Sequence, residues 1–155
     1  QAGIEMDPHT KGAVVYENME TSIPGVFACG NVLQVHDLVD FVSAESERAG
    51  ESAAAYVKHG ETKPGKVLTL QTGADVGYTV PQRIRVENVE KAVSISFRVR
   101  RNIGVSTIKV TCGDQVLASY KRERMAPGEM EHIAMPRVLL DKAVGDTLTV
   151  SVEEA

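Results

Sequence analysis

At 155 residues the chain is near the usual size of one domain, and two small units are equally allowed. Its 43% hydrophobic and 25% charged residues are the ordinary mix of a globular protein able to bury a core, which argues against disorder. A net charge of −4 offers no basic footprint for nucleic acid, and apolar runs such as 23–28 fall far short of the roughly 20 residues a membrane span requires.

No charged-then-apolar leader opens the chain, so a cytoplasmic location is expected; the start at Gln1, close to a motif, leads us to expect a trimmed or proteolytic fragment. Short β-type runs are predicted at 12–16 and, introduced by Pro24, at 25–29. From about 40 to 59, Val42, Ala49, Ala53, Tyr56 and Val57 recur at helical spacing, and Gly60 stands where a helix would stop. Gly50 inside that helix predicts a close approach by a neighbour, because glycine there costs about 1 kcal/mol against alanine.

A boundary is predicted at 61–65, a polar stretch carrying Pro64 and Gly65. It separates residues 1–60, with 3 Lys/Arg against 9 Asp/Glu, from residues 66–155, where the hydrophobic period changes from 3.6 to 2. In 92–99, Val93, Ile95, Phe97 and Val99 alternate with Ser94, Ser96 and Arg98, the signature of a half-buried strand. Similar runs at 67–70, 105–111, 115–120, 130–134 and 147–152 are divided by turn residues around Gly113, Gly128 and Gly145. The fold class expected is therefore α+β, with an antiparallel β-sandwich over 66–155 whose core takes Val93, Ile95, Phe97, Ile108, Val110, Leu148 and Val150.

The segment Thr21-Ser22-Ile23-Pro24-Gly25-Val26-Phe27-Ala28-Cys29-Gly30-Asn31 has a readable physical logic. A Pro-Gly turn leads into a buried strand, Gly30 leaves room where a side chain would collide with a ligand, and the next residue presents a hydrogen-bond acceptor. This closely resembles the second FAD-binding signature of the pyridine nucleotide-disulphide oxidoreductase superfamily. Residues 7–21 also resemble the hairpin that family places before its signature, and 32–40 its lead into a helix, so the likeness covers roughly 1–60.

The resemblance implies that Asn31, where the family usually has Asp, accepts a hydrogen bond from the ribitol of FAD without charge assistance. It also implies that the backbones of Leu38, Val39 and Asp40 form a helix N-terminus aimed at the flavin pyrimidine, where free N–H groups stabilise negative charge. Asp40 is then expected to turn aside and cap the helix at about Ser43. Gly30, Asn31, Leu38, Val39 and Asp40 are thus the candidate cofactor-binding residues, with no catalytic or metal-ligating residue assigned.

Nothing in the sequence reads G-x-G-x-x-G after a strand, and there is no CxxC. The expectation is a carboxyl-terminal part of an FAD-dependent NAD(P)H oxidoreductase, inactive alone, that works with amino-terminal FAD and NAD(P)H domains. The β region departs from the family pattern and could serve a partner subunit or a second copy. The alternative reading is a non-catalytic interaction module with an immunoglobulin-like β domain, favoured by Asn31. Cys29 and Cys112 read as small buried hydrophobes. His9, His36, His59 and His132 read as solvent-facing, and Arg98 with Arg100 as the solvated face of a strand.

Overall fold

The computed structural model describes residues 2–62 and 65–155. The chain is mixed α+β, with one main helix and most regular structure in strands. Helix α1 (Val39–His59) is followed by β1 (Val67–Thr72), β2 (Val76–Val80), β3 (Arg83–Arg85), β4 (Ala92–Val99), β5 (Ser106–Cys112), β6 (Gln115–Arg122), β7 (Glu131–Pro136), the single turn α2 (Arg137–Leu140) and β8 (Thr147–Glu154). One sheet has the order β3-β1-β8-β5-β6 and the other β2-β4-β7. Leu68, Leu70, Ile108, Val110, Leu148 and Val150 of the first sheet share a single buried core with Val93, Ile95, Phe97, Ile133 and Met135 of the second. All seven residues assigned inward by alternation are buried.

The five-stranded sheet is not purely antiparallel, because β1 runs parallel to β8, with Leu70 opposite Leu148. A parallel neighbour needs a long crossover, and β2 to β7 provide it by passing through both sheets before the chain returns as β8. Alternation fixes which side chains face inward and leaves strand direction open. β2 and β3 were not expected as strands: β2 is bulged between Val76 and Tyr78 and is followed by Pro81, while β3 has only three residues.

The runs at 12–16 and 25–29 are not strands. They carry only the isolated bridges Met6 to Ala13 and Glu20 to Phe27. Beyond its turn the second run adds only the bonds from the Thr21 N–H to the Val26 carbonyl and from the Ala28 N–H to the Met19 carbonyl, and in the first Val15 is directed elsewhere: its carbonyl accepts from the N–H groups of Gln82 and Arg83, and its N–H donates to Gln82 Oε1 at 2.9 Å. The outer edge of β3 is thereby covered rather than left as an open template. Ion pairs Arg83 to Glu5 at 2.8 Å and Arg85 to Glu20 at 2.6 Å reinforce that contact, and Arg85 stacks on the Tyr16 ring.

Helix α1 ends as expected, with the Gly60 N–H donating to the Tyr56 carbonyl at 2.8 Å. Only Glu45 and Ala49 of its 21 residues are buried. Gly50 is exposed with nothing of this chain near it, so the expected close neighbour is absent among the described residues. Of the 61–65 boundary stretch, Lys63 and Pro64 lie outside the described residues. No helix among the described residues is long and apolar enough to cross a membrane.

Candidate functional site

The loop that runs from Gly30 to Leu38 at the start of α1 is organised by a single buried carboxylate. Glu45, on the inner face of α1, accepts from the Gly30 N–H at 2.7 Å, from Gln34 Nε2 at 2.8 Å and from His36 Nε2 at 3.1 Å. Both side chains of the His36–Glu45 pair are 2% exposed, so the interaction is shielded from water. Leu33 is fully buried beneath the loop, and the N–H groups of Leu33 and Gln34 return to the Gly30 carbonyl. This is why the chain can reverse within a few residues: the bends that deny 30–34 a ladder are satisfied inward.

Two glycines make that reversal possible. Gly30 adopts φ +72, a region other residues rarely enter, and this conformation rather than local crowding requires glycine, since a Cβ there would meet only Val42 Cγ1 at 3.8 Å. Gly12 is needed for space, because a Cβ would come within 2.2 Å of the Leu33 carbonyl oxygen. The hairpin segment therefore sits directly on the loop.

Asn31 is exposed beside this knot, and its Oδ1 accepts from the His36 N–H at 3.3 Å, which leaves its amide and one acceptor lone pair open. Helix α1 starts at Val39, with Leu38 as an extended N-cap that makes no side-chain hydrogen bond. The expected cap by Asp40 at Ser43 is overturned: Asp40 is already in the first turn, where its charge complements the helix dipole, and the N-terminal N–H groups remain uncapped. Gly30 and Asn31 thus open the loop, and Leu38, Val39 and Asp40 lie where it enters α1, with Gly30 buried and the other four exposed. Val32, Val35, Leu38 and Val39 are each more than half exposed and give the loop an apolar rim. The cleft of about 420 Å³ between the amino-terminal segment and β1–β3, lined among others by Asp7, Tyr78 and Gln82, does not include them.

The β region reaches this loop from behind. Arg98 of β4 donates to the Val35 carbonyl at 2.8 Å, to Asp37 Oδ1 at 3.3 Å, to the Pro127 carbonyl at 3.0 Å and to the Tyr78 hydroxyl at 3.1 Å. Asp37 in turn accepts from the Met130 N–H at 3.3 Å. Phe41, in the first turn of α1, packs against the His132 ring with centroids 4.2 Å apart, and His132 Nδ1 lies 3.0 Å from Ser96 Oγ. Burial, with the nearby Arg48 charge, pushes the His132 pKa below its ordinary value and favours the neutral ring. Burial raises the Tyr78 hydroxyl above its ordinary range, so it stays protonated while accepting from Arg98.

Three expectations are corrected here. His36 is buried against Glu45, His132 is half-buried against Phe41, and Arg98 bridges two parts of the chain instead of facing solvent. The outer face of β2-β4-β7 is covered by the loop and the start of α1, so period-2 alternation signals two environments without saying that one is water. Glu45 was missed altogether. Its spacing from Val42 and Ala49, three and four residues, places it on the inner helical face, and a carboxylate there signals a buried polar anchor. Arg100 is exposed as expected, and of the two cysteines Cys112 is buried and Cys29 partly so.

Comparison with family models, with curated proteins and with solved structures found no match. Among the described residues no cluster of three or more His, Cys, Asp or Glu side chains has the arrangement of a metal site.

Proposed function

We propose that this chain supplies the ribitol- and pyrimidine-facing side of an FAD site in an FAD-dependent NAD(P)H oxidoreductase, and that it is inactive alone. The observation that carries the reading is the loop itself: Gly30 at positive φ with its N–H held by buried Glu45, an exposed Asn31 with open hydrogen-bonding capacity, and an uncapped helix N-terminus eight residues later. The donor set suits that end of the cofactor. Asn31 can accept from a hydroxyl, and the N–H groups at Val39 and Asp40 favour electron-rich flavin oxygens. The apolar rim at Val35 and Leu38 suits a surface that is covered when a ring system or further protein is in place.

The residues do not suit the pyrophosphate end, because the sequence has no glycine-rich loop after a strand to receive it. Amino-terminal FAD and NAD(P)H domains would provide that part. When bound, FAD would accept hydride from NAD(P)H and pass electrons on; the contribution of these residues is to hold the flavin and favour its reduced charge. We expect this work to take place in the cytoplasm, with the sandwich serving the site from its covered face.

Purification of the full-length protein from cells tests the reading. Bound flavin that bleaches on addition of NADH or NADPH is the expected result. A colourless protein that also fails to take up added FAD would refute it, and would favour a purely structural role for the loop.

A further inference from the structure

We propose that the β region is a positioning element for the flavin-facing loop, with Arg98 fixing residues 35–37 and through them the start of α1; the flavin part of this inference rests on the reading given above. The guanidinium gathers acceptors from three places: Tyr78 in β2, the Pro127 carbonyl in the β6–β7 connection, and the Val35 carbonyl with the Asp37 carboxylate in the loop. Its side chain is only 16% exposed and that of Asp37 24%, so this is not a freely solvated surface pair. A planar fork with five donors can serve such divergent acceptors together, whereas a lysine ammonium cannot.

The clamp is double. Asp37 also receives the N–H of Met130, itself buried, so the loop is tied to two segments of the β region 61 and 93 residues along the chain. Leu38 is the next residue, followed by the first helical residue, Val39. No side chain caps that N-terminus, so its direction is set by what holds 35–37 on one side and by the Phe41–His132 packing on the other. Glu45 and Asn31 hold His36 from within the amino-terminal part, and the holds on Val35, Asp37 and Phe41 come from β4, β7 and their connections. A folded β core is thus used as a rigid back wall, and the acceptors it binds are the last fixed points before the N–H groups that would face the flavin. Loss of Arg98 frees the loop without removing any group assigned to the cofactor.

The test compares the full-length protein with its Arg98→Ala, Arg98→Lys and Arg100→Ala variants. Two readouts are taken: amide hydrogen exchange without added flavin, and, with FAD, the binding constant and the flavin midpoint potential. Arg98→Ala is expected to speed exchange over 35–41 roughly tenfold or more while β5 and β8 keep their protection, since hydrogen bonds to charged groups contribute at least that much. FAD binding is expected to weaken, and the potential to become more negative, because the reduced flavin loses well-aimed N–H groups. Arg98→Lys retains the charge and is expected to recover only part of these effects; Arg100→Ala is expected to show none.

Unchanged exchange over 35–41 in Arg98→Ala, or an increase spread evenly through β5 and β8, would overturn the clamp. An unaltered potential in a loosened loop would overturn its role at the flavin. If the parent protein takes up no FAD while Arg98→Ala still loosens 35–41 alone, the clamp stands and the flavin reading fails.

Discussion

The β region encloses its core with residues from both sheets, from Leu68 to Val152. The first 60 residues contribute Ala13, Val15, Met19, Leu33 and Ala49 to a much smaller cluster, which takes in Val80 of β2 as well. The carboxyl-terminal part is therefore held by apolar burial, and the amino-terminal part largely by directional bonds: Val15 to the β3 edge, Glu20 to Arg85, Glu45 to its three donors and Arg98 to the loop. Apolar burial tolerates small shifts, whereas hydrogen bonds specify positions. If the loop presents an amide and a helix terminus to a flavin, as proposed above, the second kind of support suits it.

That contrast can be broken at its strong end first. Phe97 is fully buried between the sheets, so Phe97→Ala should cost about 3–5 kcal/mol and lower the denaturant midpoint of the whole chain. Leu33 is also fully buried but lies in the small cluster under the loop. Leu33→Ala should cost about 2–5 kcal/mol within residues 12–59, while the slowest-exchanging amides of β5 and β8 stay protected. Hydrogen exchange on the two variants separates the outcomes; equal loss of protection in β5 and β8 would show that the small cluster is not energetically distinct.

Acidity probes the seam between the two parts. The His132 pKa is lowered chiefly by burial, with the charges of Arg48 and His36 acting in the same sense and those of Asp37 and Glu131 opposing. Between this lowered value and the ordinary 6.5, the unfolded chain binds more protons than the folded one. Stability from this group is then complete above about 6.5 and falls as the pH drops below it. His132→Phe, which keeps an aromatic surface against Phe41 but gives up the Ser96 contact, should flatten that part of the stability profile. Denaturation midpoints across the pH range measure the slope, and an unchanged slope in the variant would remove His132 as its source.

The β region was largely legible because alternation reports burial directly. Val93 to Val99 and Ile108 to Val110 could be assigned to the core from period alone, and Ala92–Val99 matches its strand to the residue. The parallel β1–β8 pair was not legible, since direction depends on the path of the chain between strands. In the amino-terminal part the turn residues, the helix and its Gly60 stop could be read, but the two short runs could not be told from strands: Val15 in the first finds its partners at Gln82 and Arg83, and the second makes only two backbone bonds beyond its turn, to Met19 and Thr21, around a single bridge. His36 and Arg98 were misread, and Glu45 was missed, for one common reason. Charged side chains default to solvent in a sequence, and only tertiary contacts from 9 to 63 residues away show that these three are paired inside.

The smallest expected effect lies on the open face of α1. Gly50 is helical, exposed and has free space around its Cα, so Gly50→Ala should stabilise the 155-residue chain by about 1 kcal/mol through helix propensity. Thermal unfolding measures it directly, and a loss of stability would contradict the open environment assigned to that face.

The ribitol contact proposed for Asn31 can be measured by titrating FAD into the deflavinated full-length protein and its Asn31→Ala and Asn31→Asp variants. Asn31 is exposed and its Oδ1 is engaged only by the long His36 N–H contact, so its removal should leave the fold intact. Asn31→Ala should weaken FAD binding by about 1 kcal/mol, the net scale of one neutral hydrogen bond, and Asn31→Asp should bind as well as the parent or slightly better. An Asn31→Ala variant that binds FAD as tightly as the parent would contradict it, because the loop held by Glu45 would then make no ribitol contact at this position.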